Sequence, residues 1–156
     1  MAINYRAQSG RILAGRPQIE HLPEAQLQTF LEGELVYMNS GYLTVCGADP
    51  ALILGLSLED GHNDAADGSH SDDVLLASVN QEFIMQIGHS GGGDATNAVT
   101  DLMAAYGVTL TSNKWYVDKN KTGGDARVKV TRFLDPVGTT NGRVYVKVLA
   151  ANRQVE

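Results

Sequence analysis

The sequence predicts a mainly β fold: a small β-barrel-like or sandwich domain with one short helix and an extended N-terminal arm. Three observations carry this: short apolar runs separated by Gly, Asn, Asp and Ser, period-2 alternation near the C-terminus, and one stretch with helical spacing. At 156 residues the chain suits one domain with a real core.

Residues 1–20 show no sustained period and contain Gly10, Gly15 and Pro17, so they read as an arm that orders on a partner. Residues 21–156 read as a single β-rich domain. Within it, runs 34–38 and 42–46 flank Asn39-Ser40-Gly41, a short hairpin connection. Residues 51–58 are apolar nearly throughout and read as a central strand buried on both faces, with Gly55 marking a bulge or close packing. Strands are expected at 74–79 and 82–87. Val99, Leu102, Met103 and Tyr106 fall at i, i+3, i+4 and i+7, which predicts a helix capped by Asp94 or Thr96 and ended by Gly107. Strands at 108–111 and 115–117 follow, and then a long basic hairpin over 127–149. There Val128, Val130, Val144, Val146 and Val148 alternate with Arg127, Lys129, Arg143, Tyr145 and Lys147, giving an apolar inner and a basic outer face.

Charge is segregated along the chain. Every Lys and Arg lies in 1–16 or 114–156, while 17–113 holds fourteen carboxylates and no base, within a net charge of −6. Such blocks set orientation and encounter rate between subunits more than they set fold, although a solvated acidic surface also serves solubility alone. The acidic body argues against nucleic acid as the main partner. No apolar stretch approaches a membrane span and no secretory segment opens the chain, so a soluble protein made in a cytoplasm is expected, with no membrane partner. The single cysteine, Cys46, excludes an internal disulfide framework and reads as a buried small hydrophobe.

Three motifs invite chemistry. Gly88-His89-Ser90-Gly91-Gly92 fits G-x-S-x-G between an expected strand and helix, but no histidine follows Ser90 to serve as base, so a Gly-rich connection is the better reading. The loop 59–73 holds six carboxylates with His62 and His70. Oxygen ligands suit calcium and the histidine pair suits zinc or nickel, yet aligning Gly68 with the glycine of a calcium loop puts Ala65 and Val74 at ligand positions. A mobile exposed loop with no metal is therefore expected. Lys119-Asn120-Lys121-Thr122-Gly123-Gly124 lacks the phosphate-loop pattern and reads as a turn, and Trp115-Tyr116 reads as core rather than a base-stacking or sugar-stacking platform. No catalytic residue, enzyme activity or cofactor is expected.

Two groups of segments carry a resemblance. Phe30-Leu31-Glu32-Gly33-Glu34-Leu35-Val36-Tyr37 with Ser40-Gly41-Tyr42-Leu43 and Ala51-Leu52-Ile53-Leu54-Gly55-Leu56 resembles the strand, turn and small-residue strand of tailed-bacteriophage head decoration (capsid cement) proteins. Trp115-Tyr116-Val117-Asp118 and Asp135-Pro136-Val137-Gly138-Thr139-Thr140-Asn141-Gly142-Arg143-Val144 resemble segments of phage structural proteins of similar size. The resemblance implies a β-tulip fold, a homotrimer over threefold and quasi-threefold positions of an expanded capsid, and the major capsid protein as partner. It also implies a virion location on the outer capsid surface and an N-terminal arm lying along the shell. The extra helix and basic hairpin depart from the smallest members and would form a protrusion or a contact to the next trimer.

In this reading Arg6, Arg11 and Arg16 pair with acidic capsid surface, while Tyr5, Ile12 and Leu13 fill apolar pockets. Arg127, Lys129, Arg143 and Lys147 face the acidic body of the next subunit. The alternatives are another phage structural protein, such as a tail tube or connector, and a small serine hydrolase or carbohydrate-binding module.

Overall fold

The structure, a computed structural model, describes residues 8–9, 17–89, 93–112 and 114–155. Its first sheet contains β1 (Gln8–Ser9), β7 (Phe83–Gly88), β8 (Ala105–Thr111), β9 (Lys114–Asp118), β10 (Val128–Phe133) and β11 (Arg143–Val148). Their order is β1-β7-β11-β10-β8-β9, and β9 also pairs in parallel with β7, so five of the strands close into a barrel. The second sheet contains β2 (Ile19–Pro23), β3 (Leu35–Asn39), β4 (Tyr42–Val45), β5 (Gly55–Ser57) and β6 (Ser71–Leu76), in the order β2-β6-β5-β3-β4. A single bridge from Glu24 to Leu43 links its two edges.

The two sheets share a core. Leu35, Ile53, Leu56, Leu75 and Ala77 from the second sheet and its flanks pack with Phe83, Met85, Ile87, Trp115, Val117 and the inward valines of the β10–β11 hairpin. Alternate residues of the same strands, Val36, Leu43, Leu54, Val74 and Leu76, pack on the opposite face with Phe30. The second sheet is thus apolar on both sides, as the unbroken run 51–58 predicts, and each fully buried aliphatic side chain contributes roughly 1.5–3 kcal/mol. Only Gly55–Ser57 of that run forms a strand, and Ala51 and Leu52 are exposed. Gly55 fits a close approach: a Cβ there would stand 2.0 Å from the Leu75 carbonyl oxygen on the neighbouring strand. The 34–46 hairpin turns through Ser40 and Gly41, both at positive φ (53° and 91°), as a two-residue type I′ turn requires.

The segment with helical spacing folds differently from the expectation. Val99–Asp101 forms a single 3-10 turn, Met103 sits at a φ of 64°, and Ala105 already begins β8. Val99, Leu102 and Met103 are exposed rather than laid on the sheet. The competing force is barrel closure: Met103 N–H donates to Val130 O, Val130 N–H donates to Ala104 O, and β8 continues the ladder against β10. Gly107 is therefore no helix terminus; it lies within β8, where a Cβ would stand 2.9 Å from Asp125 O.

At the barrel seam β7 changes partner midway. Its first residues, Phe83 and Ile84, pair with Ser9 and Gln8, and its last three pair with Tyr116, Val117 and Asp118. Part of the expected arm therefore belongs to the barrel wall.

Candidate functional site

The predicted capsid-contact residues Tyr5, Arg6, Arg11, Ile12, Leu13 and Arg16 lie outside the described residues, as does Ser90. The four hairpin cations are described, and they divide into two pairs. Arg127 is held within its own chain, donating from Nε to Pro50 O and from Nη1 to Gly124 O and Ala126 O. Arg143 forms a two-pronged pair with Asp135 at 2.8–2.9 Å, which first through that side-chain bond holds the Asp135 carboxyl below its usual range. Lys129 and Lys147 stand opposite each other across β10 and β11 and make no ion pair among the described residues. A bulge at Thr131 shifts the register of β10, beyond which Thr131 and Arg132 both bond the buried Glu82 and Arg132 lies 4.1 Å over the Tyr145 ring. Of the four predicted cations, only Arg143 is paired with an acid among the described residues; Arg127 is tied to backbone carbonyls, and Lys129 and Lys147 carry the unpaired charge across the hairpin.

Five exposed apolar side chains have no counterpart in the sequence reading. Val99 and Met103 are 69% and 59% exposed, and Leu102, Leu134 and Val137 are also exposed. Two loops carry them, and hydrogen bonds tie those loops together: Thr96 bridges Thr140, Gly138 N–H donates to Asn97 O, and the Asn97 amide donates to Asp135 O. Buried Asp101 anchors the first loop, accepting from Ala98 N–H and Tyr106 Oη, both at 2.7 Å, and from Lys119 Nζ. Burial disfavours its charge, but the Ala98, Lys119 and Tyr106 bonds outweigh burial and hold Asp101 below the usual carboxylate range. Burial and then Asp101 push the Tyr106 hydroxyl up to about 12.

A second polar constellation lies at the edge of the acidic sheet. The loop 59–73, expected to be mobile, is hydrogen-bonded onto the 24–30 segment: Asn63 N–H donates to Gln28 O, Gly68 N–H to Glu24 O, and Leu27 N–H to Asp64 O. This ladder brings Glu24, His62 and Asp72 together. His62 Nδ1 lies 2.9 Å from Glu24 Oε2 and 3.2 Å from Asp72 Oδ1, and the His62 backbone N–H also reaches both Glu24 oxygens. Glu24 is 2% exposed and Asp72 0%. Burial first, and the neighbouring Glu24 charge second, push Asp72 above the ordinary carboxylate range, while the Glu24 hydrogen bond leads in raising His62. His70 does not join the three as a ligand; its ring stacks on His62 at 4.2 Å and its Nε2 meets Asp64 at 2.8 Å. Sequence reasoning named the two histidines but missed Glu24, which lies 38 residues before His62.

The remaining motifs fall where the sequence placed them. Residues 119–124 form a turn leading to a 3-10 turn at Gly123–Asp125, Trp115 and Tyr116 are buried in the core, and Cys46 is buried, which pushes its thiol pKa up. No protein-family model matches the chain, and no curated protein matches it.

Proposed function

We propose that the chain is a structural virion protein that binds the outside of an expanded tailed-phage capsid as a homotrimer and bridges its capsomers. The supporting observation is the separation of charge onto two halves of one folded unit. Residues 17–80, which build the second sheet, hold eleven carboxylates and no Lys or Arg, whereas residues 81–155, which build most of the barrel, hold nine bases against six acids. A molecule so polarised favours head-to-tail contacts, the negative sheet of one copy meeting the Lys129 and Lys147 face of the next, and such contacts close into rings. The exposed apolar side chains Val99, Leu102, Met103, Leu134 and Val137 add non-directional adhesion. Spread over several subunits, weak contacts of this kind multiply through avidity.

Sedimentation velocity at low and high salt tests the assembly. A trimer that loosens as salt rises is expected; a ring of about six subunits, a polymer or a salt-indifferent monomer would overturn it. Co-sedimentation with expanded heads tests the docking. Deleting residues 2–16 would also remove β1 from the barrel seam, so joint reversal of Arg6, Arg11 and Arg16 to Glu is the cleaner variant. Head binding is expected to be lost while the unfolding midpoint is unchanged, and full binding by the variant would refute the role of the arm.

A further inference from the structure

We propose that Glu24, His62 and Asp72 bind one divalent transition-metal cation of the zinc or manganese class. The argument begins with an imbalance of donors. Two carboxylates are buried side by side, and the one ring nitrogen facing both carries at most one proton. Glu24 takes that proton's hydrogen bond at 2.9 Å and the His62 backbone N–H besides. Among the described residues Asp72 has no hydrogen-bond donor of its own beyond the acid Glu24 beside it, although it is fully buried and its carboxylate faces the same point. A buried carboxylate without a donor is among the costliest local arrangements a fold can carry, and a bound cation would remove that cost.

The spacing suits a metal. Bonds of about 2.0–2.2 Å to nitrogen and oxygen, arranged as a tetrahedron, place ligand atoms about 3.4 Å apart. The separations from His62 Nδ1 are 2.9 and 3.2 Å, and all three ligand atoms lie within 4.8 Å of one another. Small side-chain shifts therefore complete the site. On loading, His62 Nδ1 gives its proton to solvent and ligates as neutral imidazole, and the His62 side, 37% exposed, leaves a fourth position for water. The supporting groups already exist: the His62 backbone holds Glu24, and the His70 ring, fixed by Asp64, stacks on His62 and sets its plane.

Donor chemistry selects the cation. Calcium seeks six to eight oxygens and magnesium an octahedron rich in water, whereas one imidazole with two carboxylates suits zinc or manganese. Because the ligands come from the end of β2, the loop and β6, the cation would staple loop 59–73 to the acidic sheet.

The test uses the full chain stripped with chelator, titrated calorimetrically with ZnCl2, MnCl2 and CaCl2 and followed by thermal melting. One zinc or manganese ion per chain is expected, with a rise in Tm of about 5 °C or more at a hundredfold excess over Kd. Asp72→Asn and His62→Gln are each expected to weaken binding at least about tenfold and to cut the Tm rise at the same metal concentration to about half or less, while His21→Ala keeps both. Should Asp72→Asn fail to fold, the exposed His62→Gln decides. No binding, binding undiminished in His62→Gln, or a preference for calcium over zinc and manganese would each overturn the proposal.

Discussion

Asp101→Ala removes the acceptor on which the 96–104 loop hangs, and its cost can be worked from the site. The carboxylate is 1% exposed and receives the Ala98 N–H, the Tyr106 hydroxyl and Lys119 Nζ. Hydrogen bonds to a charged acceptor are worth about 1.5–3 kcal/mol each, and breaking a buried ion pair costs about 3–5 kcal/mol. Those figures need discounting, because the Lys119 side chain is 20% exposed and its amine also bonds Thr96 O, so it recovers solvation and keeps one partner. A loss of about 3 kcal/mol is expected, lowering the urea midpoint by about 1.5 M for a slope of about 2 kcal/mol/M. Asp101→Asn keeps the shape and part of the acceptor and should lose about half as much. The pH dependence provides a second reading. Asp101 is depressed in the folded state, so its contribution is fully present above its unfolded pKa of about 3.9 and is lost as pH falls through its folded value. Asp101→Asn should therefore flatten the acid limb of the stability curve. A destabilisation by Asp101→Ala under about 1 kcal/mol, or an unchanged acid limb in Asp101→Asn, would refute the anchoring argument.

Gly55→Ala should cost about 3 kcal/mol or prevent folding, because its Cβ would strike a backbone oxygen at 2.0 Å that the β5–β6 ladder holds in place; a change within about 0.5 kcal/mol in urea unfolding would contradict the packing. Cys46 should react with a thiol reagent only at the rate of unfolding, since it is 1% exposed and its thiol is harder to ionise than usual, whereas complete labelling of native protein within minutes would show an open path to it. Lys129→Glu turns a like-charge cross-strand pair with Lys147 into an attractive one. It should stabilise the monomer by about 0.5 kcal/mol while weakening low-salt self-association, and if both quantities move the same way the lysine face is not the contact.

Legibility followed how local each determinant was. The β10–β11 hairpin was readable because alternation of valines with cations is a two-residue signal, and Val128, Val130, Val144 and Val146 are all buried within 1%. The Ser40–Gly41 turn was equally local. The helix failed because Val99, Leu102, Met103 and Tyr106 satisfy helical spacing by coincidence: three are surface positions of a loop and the fourth belongs to a strand whose partner lies 22 residues later, at Val128. Nothing within that window announces the barrel that claims it. Arg127 was misjudged for a similar reason, since its Nε reaches Pro50 O across 77 residues of chain, whereas Arg143 takes Asp135 from the loop of its own hairpin, a local pairing that the alternation pattern does not show.

Asp72 was the nearest miss, because it was counted as one of six loop carboxylates rather than as a core position of a strand. Starting the strand at Val74 hides it; starting at Ser71, as β6 does, puts Asp72 in phase with Val74 and Leu76 on the face that packs into the second apolar cluster. A carboxylate in phase with two core residues breaks the binary pattern, and such breaks concentrate where a fold gives up stability for a site. The neighbouring Asp73 supplies the contrast: one residue on, it points outward and pairs with exposed His21 at 2.8 Å. Two adjacent acids of identical composition thus have opposite standing, one at the surface and one sealed beside Glu24. What distinguishes them is phase along the strand, and phase places Asp72 where only a proton or a cation can neutralise it.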